Sequence, residues 1–278
     1  MRIDAHQHFW HIADREGHWP PRELSTIHRD FVPRDLQPAL QRAGVDGTVL
    51  VQTLPSAADT DFMLALAERH DFIRGVVGWV DLKAADAPQQ IARRAAHPKF
   101  KGVRPMLQDL TDDRWIDDPA LDPAVQAMVE HGLCFDALVL PRQLGALLAF
   151  VQRHPSLGVV IDHAAKPFVA RGELEPWFTD MARFAVWPQV QCKLSGLLTE
   201  AREGAGREAL QPYVQALWTL FGSSRLMWGS DWPVLTLVAD YEHWWRLSGD
   251  LLDALKPAPD VAARNDIFGG NAVRFYRL

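Results

Sequence analysis

The stretch LGVVIDHAAKP at residues 157–167 is a short aliphatic run that ends in polar and charged side chains. Unbroken runs of Val, Ile and Leu are typical of strands that are buried on both faces of a parallel sheet. Seven further β-like runs occur along the chain. They are RIDAHQHF (2–9), VDGTVLVQT (45–53), IRGVVGWVDL (73–82), FKGVRPML (100–107), LCFDALVL (133–140), VQCKLSGL (190–197) and RLMWGSDWPV (225–234).

The segments between these runs have the apolar periodicity of amphipathic helices. Clear examples are TDFMLALAERH (60–70), DPAVQAMVEHGL (122–133) and PRQLGALLAFVQRHP (141–155). Eight strand–helix alternations in 278 residues predict an α/β fold, a (β/α)8 TIM barrel in a single domain over residues 1–278. A doubly wound open sheet is the alternative, although no Gly-rich phosphate loop follows the first run.

Charge and composition limit the classes of partner. The chain has 29 Lys and Arg against 35 Asp and Glu, a formal charge of −6, and its basic residues are scattered. Nucleic acid and membrane surfaces are therefore not expected as partners, which leaves a small molecule. The pattern does not decide between a monomer and a homo-oligomer.

The ends and the cysteines of the chain indicate its cellular environment. The first strand pattern begins at residue 2, so we expect no signal peptide, and no apolar run approaches about 18 residues. These features predict a cytoplasmic protein. Cys134 and Cys192 each lie inside an apolar run, and we expect both to be reduced core residues rather than a disulfide or a metal site.

Polar side chains follow most of the predicted strands. In a (β/α)8 barrel the reactive groups gather at the C-terminal ends of the strands, so these side chains are expected to meet around one mouth. The residues at these ends are His6 and His8, Gln52, Arg104, Asp162 and His163, Lys193 and Ser195, and Asp231.

The two histidines of the first strand point in one direction. Side chains alternate across a strand, so His6 and His8 share a face, together with the deeper Asp4. A single inward histidine is more often a hydrogen-bonded core residue. Two buried imidazoles are costly without polar partners, and the pair therefore favours a functional site. Asp4 is expected to orient its neighbours or to be structural.

Three charged residues each have a functional and a structural interpretation. Asp231 follows MWGS and is either a catalytic carboxylate or a helix cap before Pro233. Arg104 suits a substrate carboxylate or carbonyl, and the alternative is a salt bridge with a carboxylate such as Asp136. Lys193 is either a substrate-binding residue or a structurally paired lysine.

Five stretches carry a resemblance to a known family. They are IDAHQHFW (3–10), DHAAKP (162–167), CKLSGL (192–197), GSDWPV (229–234) and GGNAVRFY (269–276). With His-x-His on the first strand and Asp at the end of the eighth, the chain resembles the amidohydrolase superfamily. Within it, the chain is similar to the sugar-lactonase branch that includes L-fuconolactonase.

The resemblance implies roles for particular residues. Asp231 would be the general base, Arg104 would bind substrate, and three histidines would surround the substrate carbonyl. Those histidines are His6, His8 and His163. Further candidates for substrate binding lie at or beside other strand ends: Gln52, Lys193 and Trp232.

The resemblance also bears on metal content. Superfamily members with two metals use a lysine on the fourth strand and a histidine on the fifth, where this chain has Arg104 and Asp136. A binuclear centre therefore lacks its ligands. Several lactonases of this branch are thought to work without metal, so no cofactor is expected to be required. The alternative is one Zn²⁺, with ligands from His6, His8, His163 and Asp231.

The resemblance implies hydrolysis of a sugar-acid lactone, in which Asp231 assists the attack of water on the ring ester. Where L-fuconolactonase continues Arg-His after the fourth strand, this chain has Arg104 and Pro105, so the particular lactone is not decided. Two alternatives differ in class. One is a metal-dependent decarboxylase or hydratase on the same barrel, and the other is a sugar-acid binding protein without turnover.

Overall fold

A computed structural model describes residues 1–15 and 18–278 of the chain. It contains one parallel sheet of eight strands, arranged in the order in which they occur in the sequence. The strands are β1 Ile3–Gln7, β2 Gly47–Val51, β3 Ile73–Gly78, β4 Phe100–Val103, β5 Cys134–Ala137, β6 Val159–Ile161, β7 Val190–Leu194 and β8 Leu226–Trp228.

Backbone hydrogen bonds join the two ends of this sheet. The amide of Asp231 donates to the carbonyl of His6 at 2.8 Å, and the amide of His8 donates to the carbonyl of Trp232 at 2.7 Å. The first strand therefore pairs with the segment that follows the last one. The predicted TIM barrel is confirmed, and the open doubly wound sheet is wrong.

Helices follow the strands and cover the outside of the barrel. They are α1 Pro33–Ala43, α2 Ala57–Arg69, α3 Ala87–Ala95, α4 Asp122–Glu130, α5 Leu144–Arg153, α6 Trp177–Ala182, α7 Arg207–Phe221, α8 Tyr241–Asp253, α9 Val261–Asn265 and α10 Asn271–Tyr276. The large apolar core lies between these helices and the sheet.

A second, smaller core fills the inside of the barrel. It contains Ile3 and Ala5 of β1, and it is completed by Ala272 and Tyr276 of α10. The C-terminal helix therefore packs against the end of the barrel at which the strands begin. The opposite end, where the strands finish, is left for the polar residues.

The cysteines behave as expected from the sequence, since Cys134 and Cys192 are both buried and free. None of the helices in the described part of the chain combines the length and the apolar character that crossing a membrane would take.

Candidate active site

One carboxylate faces three imidazoles at the mouth of the barrel. Oδ1 of Asp231 lies 3.1 Å from Nε2 of His8, and 3.8 Å from Nε2 of both His6 and His163. All four side chains are at least nine-tenths buried. Residues from the ends of β1, β6 and β8 are thus brought together around one oxygen atom.

The outer nitrogens of two rings are fixed by hydrogen bonds. Nδ1 of His8 lies 2.7 Å from the carbonyl oxygen of Val51, which only accepts, so this nitrogen carries a proton. Nδ1 of His163 lies 2.8 Å from Oγ of Ser195 on β7. Burial lowers the pKa of His163 to about 4, which keeps that ring neutral near pH 7.

Asp231 has an unusual backbone conformation. Its φ of 59° lies in the left-handed region, which costs a residue other than glycine about 1–3 kcal/mol. Its side chain faces the histidines and does not cap the following short helix, where Pro233 takes the cap position. Burial alone would raise the pKa of Asp231, but the facing His163 and the hydrogen bond from His8 hold this pKa below its ordinary value.

A left-handed turn carries His163 into the mouth. The four residues His163–Lys166 have φ values between 50° and 58°, a conformation that costs L-residues about 1–2 kcal/mol each. Nε1–H of Trp177 donates to the carbonyl of Ala164 at 2.7 Å and supports the turn. Gly196 gives the ring its space, since a Cβ there would lie 2.7 Å from Nδ1 of His163.

Lys193 lies beneath His6 in a fully buried charge network. Its Nζ is 2.5 Å from Oδ2 of Asp136, 3.0 Å from Oδ1 of Asp162 and 3.1 Å from Nδ1 of His6. The ammonium group therefore forms hydrogen bonds with Asp136 and His6 and an ion pair with Asp162. Burial raises the pKa of Asp136 to about 6, although Lys193 and the hydroxyl of Tyr276 oppose this shift. The lysine is structurally paired, as one of the two interpretations had it.

Arg104 pairs with Asp162 and not with Asp136, which corrects the partner suggested by the sequence. Its Nη1 lies 3.3 Å from Oδ2 of Asp162 and 3.4 Å from Nε2 of His6. Its Nη2 donates to the backbone carbonyl of Gln52. In return, the side-chain Nε2 of Gln52 donates to the backbone carbonyl of Arg104 at 2.6 Å. The guanidinium is thus held at the edge of the histidine cluster.

Asp4 connects β1 to the segment after β8. Its Oδ1 accepts from the amides of His6 at 3.1 Å and Ser230 at 2.9 Å, and its Oδ2 accepts from the hydroxyl of Tyr241 at 3.1 Å. Burial raises the pKa of Asp4 to about 6 despite these hydrogen bonds. Asp4 therefore fixes the backbone on either side of the cluster, in agreement with the orienting role expected for it.

A cavity of about 200 Å³ opens above the cluster. Its wall contains both apolar residues and polar or charged residues. The apolar residues are Trp19, Leu24, Met106, Leu138, Val234 and Leu237. The polar and charged residues are His8, Thr53, Arg104, Gln108, Asp109, His163, Lys166, Thr199, Glu200 and Asp231.

Three residues predicted to bind substrate lie outside this wall. Gln52 and Lys193 are fully buried beneath it, in the contacts described above. The ring of Trp232 packs edge-on against Phe9 and Phe31, with ring centroids 5.8 and 5.2 Å apart. In this structure these side chains lie behind the residues of the wall, and their part in substrate binding stays a prediction.

Sequence reasoning also left several site residues without a role. Asp162 holds both Arg104 and Lys193, and its position next to His163 in a strand run was the available signal. The backbone carbonyl of Val51 holds the ring of His8, and a contact made by the backbone cannot be predicted from the residue type. Lys166 stands in DHAAKP, four residues after Asp162, and only the left-handed turn explains why it reaches the cavity.

The cluster has the ligand types and spacing for one metal ion. His6, His163 and Asp231 each offer one ligand atom, and these atoms lie within 4.8 Å of one another. Imidazole nitrogens and carboxylate oxygens are ligand types that Zn²⁺ binds in proteins. The hydrogen bonds to Nδ1 of His8 and His163 are the type of support that ligating histidines receive.

A TIM barrel that gathers histidines after β1 and β6 around an aspartate after β8 defines a protein of the amidohydrolase class. More particularly, the chain belongs to the Amidohydro_2 family of amidohydrolases, whose model matches residues 3–278.

Relatives and solved structures agree with this assignment. An L-fucono-1,5-lactonase of Burkholderia ambifaria is 55% identical over 100% of this chain and 96% of its own. An L-fucono-1,5-lactonase of Burkholderia multivorans is 34% identical with the same coverage. A crystal structure of an amidohydrolase from Burkholderia multivorans with bound zinc has a TM-score of 0.92 at 34% identity, covering 100% of this chain and 99% of that one.

Proposed function

We propose that the protein hydrolyses the ring ester of a sugar-acid lactone, with L-fucono-1,5-lactone as the first compound to test. The observation that carries the proposal is the carboxylate of Asp231 facing three imidazoles at the base of a small cavity. The full-length identity of 55% to an L-fucono-1,5-lactonase supports the choice of substrate. The 6-methyl group of such a lactone suits a cavity whose lining includes apolar residues.

Asp231 is the general base of the proposed reaction. The recorded contacts of its carboxylate within the described residues go to Oδ1, so Oδ2 is available to take a proton from water. The resulting hydroxide attacks the ring carbonyl. Asp231 then returns the proton to the ring oxygen as the ester bond breaks, which a single carboxyl group can do in the two successive steps.

His163 stabilises the oxyanion, and Arg104 binds the substrate beside it. Nδ1 of His163 lies 2.8 Å from Oγ of Ser195, and the proposed mechanism assigns this hydroxyl as the donor, with the proton of the neutral ring on Nε2, beside Asp231. The guanidinium of Arg104 lines the same cavity and carries a permanent positive charge. Each donor aimed at the developing negative charge lowers the barrier by roughly 3 kcal/mol.

We infer that a metal is not required, because residues that line the cavity already supply a base, a hydrogen-bond donor and a permanent positive charge: Asp231, His163 and Arg104. An ester also needs less activation than an amide or a phosphate. Burial lowers the pKa of His8, although its hydrogen bonds to Asp231 and Val51 oppose this shift. If Zn²⁺ is bound, His6, His8, His163 and Asp231 would hold it, and it would polarise the carbonyl as a Lewis acid.

The proposed function is tested with a pH-indicator assay, because hydrolysis of a lactone releases a proton. We expect rapid turnover of L-fucono-1,5-lactone relative to a blank without enzyme, which corrects for spontaneous opening. A panel of other aldonolactones would then rank ring size and stereochemistry. Absence of turnover over the whole panel would refute the lactonase proposal.

Removal of metal should not abolish the activity. After exhaustive chelation and elemental analysis of the same sample, we expect kcat to stay within about tenfold of its starting value, since an ester needs less activation than an amide or phosphate. Complete loss of activity that Zn²⁺ restores would contradict this expectation and would assign the ion to the cluster.

Replacement of Arg104 by Met should act mainly on substrate binding. We expect KM to rise by about ten- to a hundredfold, which is the effect of losing a charge-assisted hydrogen bond. Lys193 remains as a partner of Asp162 in this variant, so the fold should persist. Steady-state kinetics give KM, and thermal unfolding checks stability. An unchanged KM with a lowered Tm would make Arg104 a purely structural ion pair.

A further inference from the structure

Three polar or charged residues of the cavity wall have no role in the proposed mechanism. Gln108, Lys166 and Glu200, here called the polar arc, line the cavity together with the catalytic residues. They come from three different loops, after β4, β6 and β7. Their convergence on one cavity is therefore a product of the fold and not of proximity in sequence.

Lys166 and Glu200 form only a loose pair. Nζ of Lys166 is 3.5 Å from Oε1 of Glu200, and both side chains keep about a quarter of their surface exposed, 23% and 28%. No hydrogen bond of Nζ is recorded among residues 1–15 and 18–278. The ammonium group thus keeps donors, and the carboxylate keeps acceptors, that a ligand in the cavity can use.

Gln108 supplies a third group of this kind. Its side-chain oxygen Oε1 is buried and has no hydrogen-bond partner in the part of the chain that the structure describes. A buried acceptor without a donor is unfavourable, and a donor on a ligand would satisfy it. This oxygen belongs to a side chain of the cavity wall.

Lys166 has a strained backbone conformation. Lys166 is the last residue of the left-handed turn that begins at His163, with φ of 51°. The same turn therefore brings one mechanistic side chain and one side chain of the polar arc into the cavity. Strain of this kind persists where the surrounding structure enforces it, and it is concentrated at ligand sites.

We propose that the polar arc recognises the ring hydroxyl groups of the lactone. Lys166 donates to the oxygen of one hydroxyl, and Glu200 and Gln108 accept from hydroxyl hydrogens. A hydroxyl group is both donor and acceptor, so this combination matches neighbouring hydroxyls on a sugar ring. The proposal rests on the lactonase function and specifies it: the preferred substrates are polyhydroxylated lactones and not plain aliphatic ones.

The test compares L-fucono-1,5-lactone with δ-valerolactone, which has the same ring ester and no hydroxyl groups. The readout is the ratio of the two kcat/KM values. In Lys166→Met we expect this ratio to fall by about ten- to a hundredfold, as for a lost hydrogen bond to a charged group. Lys166→Arg, which keeps a cationic donor, should restore most of the ratio.

A second variant does not touch the strained turn. Gln108→Leu removes only a neutral acceptor, and the ratio should fall by about two- to tenfold. Lys256→Met is the matched control, because Lys256 is an exposed lysine between α8 and α9, and its ratio should equal that of the wild type.

The outcomes separate the two proposals. If Lys166→Met and Gln108→Leu lower kcat/KM equally for both lactones, the polar arc does not recognise hydroxyls and this inference is overturned, while the lactonase function stands. If the wild-type protein hydrolyses neither lactone, the lactonase function fails and the inference fails with it.

Discussion

Replacing Asp231 by Asn should lower kcat by about 10³- to 10⁴-fold without unfolding the protein. The loss reflects the removal of the one group that both takes a proton from water and returns it to the leaving oxygen, at the upper end of general acid–base effects. The fold should survive because Asn has the same shape and tolerates the left-handed backbone that this position requires, with φ of 59°.

The measurement is kcat on L-fucono-1,5-lactone, with circular dichroism and thermal unfolding on the same samples. Asp240→Asn is the matched control: Asp240 is the exposed cap of α8, accepting from the amide of His243 at 2.7 Å, and Asn caps a helix equally well. Its kcat should equal that of the wild type. Turnover of Asp231→Asn within tenfold of the wild type would remove Asp231 from the mechanism.

The barrel could be predicted because most of the strands lie in runs rich in Val, Ile and Leu, yet the residues at which the strands end could not be predicted. The run at 225–234 contains β8 only as Leu226–Trp228, and the chain then bends through Ser230 into the left-handed Asp231. Such a bend is imposed by contacts with β1, including the bond from the amide of Asp231 to His6. A strand pattern in sequence carries no information about those contacts.

The meeting of His6, His8, His163 and Asp231 could be expected from the topology, since parallel strands end at one rim. The pairing of the charged residues with one another could not be expected from the topology. Asp136 on β5 and Asp162 after β6 are both possible partners for Arg104 after β4, and the structure pairs Arg104 with Asp162.

Asp231 and Trp232 are neighbours in the chain with different surroundings. Asp231 lines the cavity, and the indole of Trp232 packs against Phe9 and Phe31. Successive side chains of an extended segment point to opposite faces, so a place in the cavity for Asp231 does not carry over to Trp232. The part of Trp232 in substrate binding stays a prediction.

Replacing Lys193 by Met should lower the free energy of unfolding by about 3–5 kcal/mol, because it leaves two carboxylates buried without their counter-charge. Lys193, Asp136 and Asp162 are all fully buried, so water cannot replace the lost ammonium group. Arg104 still contacts Asp162, and the larger part of the loss therefore falls on Asp136. Urea unfolding of the variant and the wild type measures the difference.

A surface pair of the same kind provides the control for Lys193→Met. Nζ of Lys83 also lies 2.5 Å from a carboxylate oxygen, of Asp118, but the two side chains are 32% and 40% exposed. Lys83→Met should therefore cost at most about 1 kcal/mol. The free energy of unfolding could instead fall equally in Lys83→Met and Lys193→Met. That result would show that the buried ammonium group gains no more from its partners than it loses in hydration.

The loss in Lys193→Met should also depend on pH in a direction that identifies its cause. Burial already raises the pKa of Asp136 from 3.8 to about 6, and removal of Lys193 raises this pKa further. A carboxyl group with a raised pKa in the folded state destabilises the fold as pH rises above its unfolded value, because it must then be buried with a charge. The difference in unfolding free energy should accordingly be larger at pH 8 than at pH 5. A difference independent of pH would assign the loss to packing of the lysine chain.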